Sequence, residues 1–290
     1  RATDFIGASL AVSFIFGAGL AKSVAQAVMT DWGVNEYWMP FVTGLIYLLP
    51  LLLFVYLLEK IPAPDSADVA HRTERKKMSA ADRKAFIRTF LPGVVLLVGV
   101  YIFVTVLREI RDSFMGDMWR ESGEVFSPGV FAKTETIITL VILVMVASMV
   151  ALKNNLKAFL IAQWMMLAGF ALSGIVTMLY LAGNLSTFNW MTLVGLGLYM
   201  TYIPYNSILF DRLLAAFRYA ANVGFLIYVA DAFGYLASVG VLLTKTVFKL
   251  QVNWLQFYTT LVLVTSAAGI LFTLASIFYF IKKHRREVQA

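Results

Sequence analysis

The densest chemistry in the chain lies in one apolar run, YIFVTVLREIRD at 101–112. Tyr101, Thr105, Arg108 and Asp112 recur there at i, i+4, i+7 and i+11, one face of a helix. Arg108 and Asp112 are spaced to pair at i, i+4. An ionised side chain in hydrocarbon is costly and faces a bundle interior or a wet cavity. Arg108 therefore reads as a cation on the wall of a path for an anionic solute, and Glu109 beside it as a carboxylate for coupling. The competing reading is that this group solvates a helix end.

Three further places add to the set. Lys133 and Glu135 are two residues apart and point in different directions, so either one faces the path and the other pairs with the Arg108/Asp112 group, or Lys133 is an interfacial lysine that snorkels to water. Lys22, with Ala18, Gly19 and Gln26 as helical neighbours, has no acid within one turn. Its partner must come from another helix or from an anionic ligand. Tyr228, Asp231 and Tyr235 share a face of another run. A deeply placed carboxylate there is a candidate proton carrier, or else a structural group bonded to tyrosine hydroxyls. Near Pro204, which allows a kink, Tyr202 and Asn206 are i, i+4 neighbours. The expected solute-binding group is thus Arg108, Lys22, Lys133, Tyr101, Tyr202 and Asn206. The expected coupling or gating group is Asp231, Glu109, Asp112, Glu135, Tyr228 and Tyr235. No metal or cofactor is expected: there is no cysteine, and the two histidines, His71 and His284, stand in charged stretches.

The elements that must position these residues follow from composition. Of the 290 residues, 60% are hydrophobic and 14% charged, with a mean hydropathy of +0.78. A soluble fold of this size cannot hide so much apolar surface. The expected class is an all-α integral membrane protein with eight transmembrane helices, over about 5–29, 37–58, 92–114, 129–152, 157–182, 188–210, 219–247 and 254–281, each near the roughly 20 residues a span requires. Residues 59–91 read as a Pro- and charge-rich linker with a short interfacial helix around 79–90.

Charge placement predicts the orientation. Of 24 Lys and Arg, 17 fall on the side of the 59–91 linker, two on the other side and five within spans. The positive-inside rule then puts both termini and the linker in the cytoplasm. Asp31, Glu36, Asp117, Glu121 and Glu124 occupy the opposite connections. The net charge of +7 is mostly this topology signal, and nucleic acid is not an expected partner. The expected location is the cell (inner) membrane, among lipid, as a monomer.

Two helices, a long basic loop and six more helices resemble the major facilitator superfamily, whose two six-helix bundles are joined by a cytoplasmic loop. The resemblance implies that the chain corresponds to helices 5–12 of twelve: 1–58 as the end of a first bundle, 59–91 as linker, 92–290 as a complete second bundle. The run Phe103…Arg108…Asp112…Trp119…Glu121 is similar to the seventh helix of the organophosphate:phosphate antiporters, which implies an anion-binding role for Arg108. The chain departs from that pattern at Glu109. Leu152, Lys153, Asn154 and Asn155 stand where many members carry Gly, Asp and Arg. The whole also looks like an uncharacterised bacterial branch.

The expected function is a secondary active transporter for a small anionic solute, with protons as the candidate coupling ion. It is read here as an N-terminally truncated fragment that does not transport alone. The alternative is a non-transporting membrane sensor, scaffold or lipid-interacting protein on a transporter fold. An enzyme is not expected: no H-E-x-x-H, no cysteine and no intramembrane histidine occur, and no phosphate-binding G-x-x-x-x-G-K-[ST] loop is present.

Overall fold

In lipid a backbone has no water to bond, so each apolar run must pair its own N–H and C=O groups, and it becomes a helix. A computed structural model describes residues 2–63, 78–219, 221–248 and 251–289, and every regular element among them is helical. In chain order these are α1 (Ala2–Thr30), α2 (Met39–Glu59), α3 (Ala80–Glu121), α4 (Val130–Val150), α5 (Asn155–Leu181), α6 (Thr187–Ser207), α7 (Leu209–Ala216), α8 (Val223–Val247) and α9 (Trp254–Gln289). Seven are long and apolar enough to cross a membrane, or eight spans if the bent pair α6–α7 is one. The protein is an all-helical, membrane-embedded chain.

Two expectations change in detail. The interfacial helix around 79–90 is not separate: α3 runs unbroken for 42 residues through Pro92, about 63 Å at 1.5 Å per residue. Its first turn carries a reciprocal Ser79/Asp82 capping box. Phe86 and Phe90 are buried against Tyr219, and Phe90 also meets Phe217. That packing holds the start of the helix despite the hydrogen bond Pro92 cannot donate. The break expected at Pro204 falls one turn later, at Ile208, where α6 and α7 meet at 53°. His71 lies outside the described residues.

α3 is central. It packs on α8 and α9 and touches α6, while α5 packs on α6, α7 and α9. α4 joins α6 to α1, and α2 lies against α1 with none of its residues buried. The α5–α6 crossing is tight at Gly169 and Gly197. A Cβ on Gly169 would overlap the Gly197 carbonyl, and one on Gly197 would overlap the Ser173 hydroxyl. Backbones can approach so closely only where side chains are this small. At one end of the bundle Phe217 meets His284; this is the His284 end. The opposite end, where α3 turns into α4, is the Glu121 end.

The acids at the Glu121 end have a structural use. Glu124 Oε1 accepts a hydrogen bond from Thr187 N at 2.9 Å, and Glu121 Oε2 accepts one from Leu255 N at 2.7 Å. Thr187 and Leu255 lie in the first turns of α6 and α9, whose N–H groups have no partner within the helix. Ser23 Oγ does the same for α4, accepting from Ala132 N at 2.8 Å. The end of α3, the α3–α4 connection and α1 thereby tie three helix N-termini together.

Candidate functional site

Asp112 does not pair with Arg108 as its spacing allows. It accepts from Lys22 Nζ at 2.6 Å, joining α3 to α1. The partner that Lys22 required from another helix is therefore Asp112. Both side chains are about one-fifth exposed, so this pair borders the buried interior rather than lying within it.

One face further round α3, Arg111 meets Glu135 of α4. Nη1 and Oε1 stand 2.6 Å apart, and each side chain is 1% exposed. Gly19 of α1 presses against Glu135: a Cβ there would fall 2.5 Å from the Glu135 Cβ. Glu135 is thus enclosed by α1 and α3. The pair is not fully satisfied. Among the described residues Arg111 Nε and Glu135 Oε2 find no hydrogen-bond partner. Arg111 Nη2 reaches the Met191 carbonyl only at 3.4 Å. The hydroxyls of Tyr199 and Tyr258 lie within electrostatic range of Arg111 and also lack partners.

Arg108 lies on the side of α3 that faces α6 and α8. Its guanidinium sits 4.8 Å over the Tyr202 ring and 6.0 Å from the Tyr235 ring. Aromatic faces attract a cation without neutralising it. Within ion-pair distance among the described residues is one carboxylate, Glu109, at 3.5 Å, longer than a strong charge-assisted bond. The Arg108 side chain is 8% exposed, and among the described residues its buried Nε has no partner. Tyr101 stacks on Tyr202 and donates its hydroxyl to Asp231. The carboxylate of α8 and the guanidinium of α3 are therefore linked through two tyrosines.

The predicted residues separate accordingly. Arg108, Glu109, Tyr101, Tyr202, Tyr235 and Asp231 come together where α3, α6 and α8 meet. Lys22 and Asp112 join as a neighbouring pair, and Glu135 belongs to the buried pair beside them. Asn206, one turn beyond Tyr202, has a buried Nδ2 with no partner among the described residues. Two do not join. Lys133 is exposed, with its ammonium 5.1 Å over Phe188, since α4 turns Glu135 inward and Lys133 outward. Tyr228 is 76% exposed. It lines a groove of about 630 Å³ with Arg83, Asn222 and Phe225, toward the start of α8.

Arg111 was missing from the predicted set. Its sequence signal was faint: an opposite charge on the next helix, with nothing to say that both turn inward. Arg212 of α7 donates from Nη1 to Asn155 Oδ1 at 2.7 Å and pins α7 to the start of α5.

A family of unknown function, DUF5690, matches residues 1–283. The chain belongs to this family. No curated protein and no solved structure matches the chain. In this DUF5690 member two cations of one helix stand in unlike surroundings. Arg111 has a carboxylate facing it across a helix interface, whereas Arg108 has aromatic faces and one long carboxylate contact.

Proposed function

We propose that this protein is a secondary active membrane transporter of the major facilitator type, moving a small anionic solute by alternating access. The observation that carries the reading is Arg108. A guanidinium inside an apolar helix bundle ordinarily has its donors satisfied by carboxylate or backbone. Arg108 instead rests on Tyr202 and Tyr235 with its one carboxylate contact at 3.5 Å, and among the described residues its buried Nε has no partner. An incoming phosphate or carboxylate would complete the donor set with charge-assisted, bidentate bonds. Asn206 would add an amide contact through its buried Nδ2, while Tyr101, whose hydroxyl donates to Asp231, would form part of the wall.

Asp231 is the group proposed to carry the coupling proton, because it communicates with the Arg108 site through Tyr101 and Tyr202. Lys22–Asp112 and Arg111–Glu135 are proposed as ion pairs that hold α1 to α3 and α3 to α4, or exchange partners as the bundle moves. The arrangement of two helices, a basic linker and six further helices supports the facilitator reading. The Lys and Arg distribution supports a cytoplasmic linker and cytoplasmic termini in the inner membrane.

The test is uptake into proteoliposomes containing the full-length protein, using a labelled organic phosphate and a labelled carboxylate in parallel. Uptake of one should be saturable and should fall by two orders of magnitude or more in Arg108→Ala. It should recover partly in Arg108→Lys, which keeps the charge but loses the fork. Equal uptake by wild type and Arg108→Ala would remove Arg108 from the site.

A further inference from the structure

The far end of α9 carries a charge cluster that the Arg108 site does not use. Through the apolar part of the helix the exposed side chains fall on a single stripe. Val264, Leu271 and Phe278 are 61%, 67% and 70% exposed. Their heptad spacing keeps them on one side of the helix, with small Ala267 and Ala275 between. Apolar side chains so exposed on a membrane-embedded helix face acyl chains. Continuing the stripe by four and eight residues from Phe278 leads to Lys282 and Arg286, both exposed. The apolar part of α9 ends at Ile281, so these cations begin where hydrocarbon gives way to headgroups.

They stand at a built cleft rather than on a bare surface. Tyr279, Lys282, Lys283, Arg286 and Glu287 line a space of about 320 Å³. Lys283 is already engaged: its ammonium lies 4.8 Å over the Phe90 ring and 3.2 Å from Glu287. Among the described residues, Lys282 and Arg286 have no carboxylate within ion-pair distance. Two uncommitted cations and the phenol of Tyr279 thus border one pocket at the end of a lipid-facing stripe. Lysine and arginine at this level, with an interfacial tyrosine, are the groups that recognise anionic headgroups.

We infer that this cleft binds the phosphodiester headgroup of an anionic phospholipid, held by Lys282 and Arg286, with an acyl chain lying along Phe278, Leu271 and Val264. The stripe decides between lipid and free phosphate, since a soluble anion would have no use for it. The inference stands on α9 and its neighbour α3 and does not need the transport reading to hold.

The experiment is native mass spectrometry of the full chain released from detergent, titrated with phosphatidylglycerol, phosphatidylcholine or glycerol 3-phosphate. The wild type should retain phosphatidylglycerol at least tenfold more strongly than phosphatidylcholine, and glycerol 3-phosphate should not compete. The double variant Lys282→Ala/Arg286→Ala should lose tenfold or more of that affinity. Lys84→Ala/Arg88→Ala, which removes the same charge from exposed positions on α3, should lose less than threefold. Equal retention of both lipids, equal losses in the two double variants, or competition by glycerol 3-phosphate would each overturn the assignment. Both double variants change exposed side chains, and unaltered helical circular dichroism confirms that each is folded.

Discussion

Arg111 and Glu135 face each other across the α3–α4 interface at 2.6 Å, each side chain 1% exposed, while Asp112, the next residue along, turns to Lys22 of α1. Consecutive residues of one helix thus hold two different neighbours. The two pairs differ in burial, and burial decides how much each is worth.

Breaking the enclosed pair from one side leaves an uncompensated buried charge. Arg111→Met or Glu135→Gln alone should destabilise the protein by about 3–5 kcal/mol. The double variant Arg111→Met/Glu135→Gln should cost clearly less than the sum. A double-mutant cycle on unfolding in detergent reads the coupling, and strict additivity would show that the two side chains do not act as a pair.

The Lys22–Asp112 pair borders partly accessible space. Asp112→Asn should therefore cost about 1 kcal/mol or less, well below Glu135→Gln. Raising the salt concentration should weaken this pair and leave the Arg111–Glu135 pair nearly unchanged. The midpoint of thermal unfolding at two ionic strengths measures both, and equal salt sensitivity would refute the distinction.

Glu124 caps α6 through Thr187 N. Glu124→Ala should cost about 1 kcal/mol and speed amide hydrogen exchange in the first turn of α6, with α9 unaffected. Glu121→Ala should act on the first turn of α9 instead. Exchange rates resolved by segment will show whether the two effects separate as the bonds do.

Gly169 and Gly197 let α5 and α6 touch. Gly169→Ala should cost about 1–3 kcal/mol by overpacking. Gly44→Ala in α2, where a Cβ meets nothing within 4 Å, should be neutral or stabilising by about 0.5–1 kcal/mol. Similar melting shifts for the two variants would contradict the close crossing.

Much of the architecture could be read without coordinates. Eight apolar runs became the observed helices with shifts of a few residues at most ends, because lipid permits a lone span little other than helix. The ends were less legible. The span expected from about residue 92 belongs to a helix that already starts at Ala80, since Phe86 and Phe90 find aromatic partners on residues more than a hundred positions away. The cluster around Arg108 was partly legible from spacing, as Tyr101 and Arg108 share a face and Tyr202 and Asn206 another.

Partner choice was not legible. Spacing permitted Arg108–Asp112, and nothing local could announce that Lys22, 90 residues distant, would take Asp112. Nor could it decide which of Lys133 and Glu135 turns inward, because helical periodicity says only that they point apart. By itself, then, the sequence determined that this chain is a helical membrane protein, where its spans run and which charges they carry. Only the tertiary structure decided which charges are enclosed and which opposite charge each one meets. The physical reason is range: backbone pairing and apolar patterning are local and dictate helices, whereas an ion pair between helices depends on how those helices are rotated and stacked.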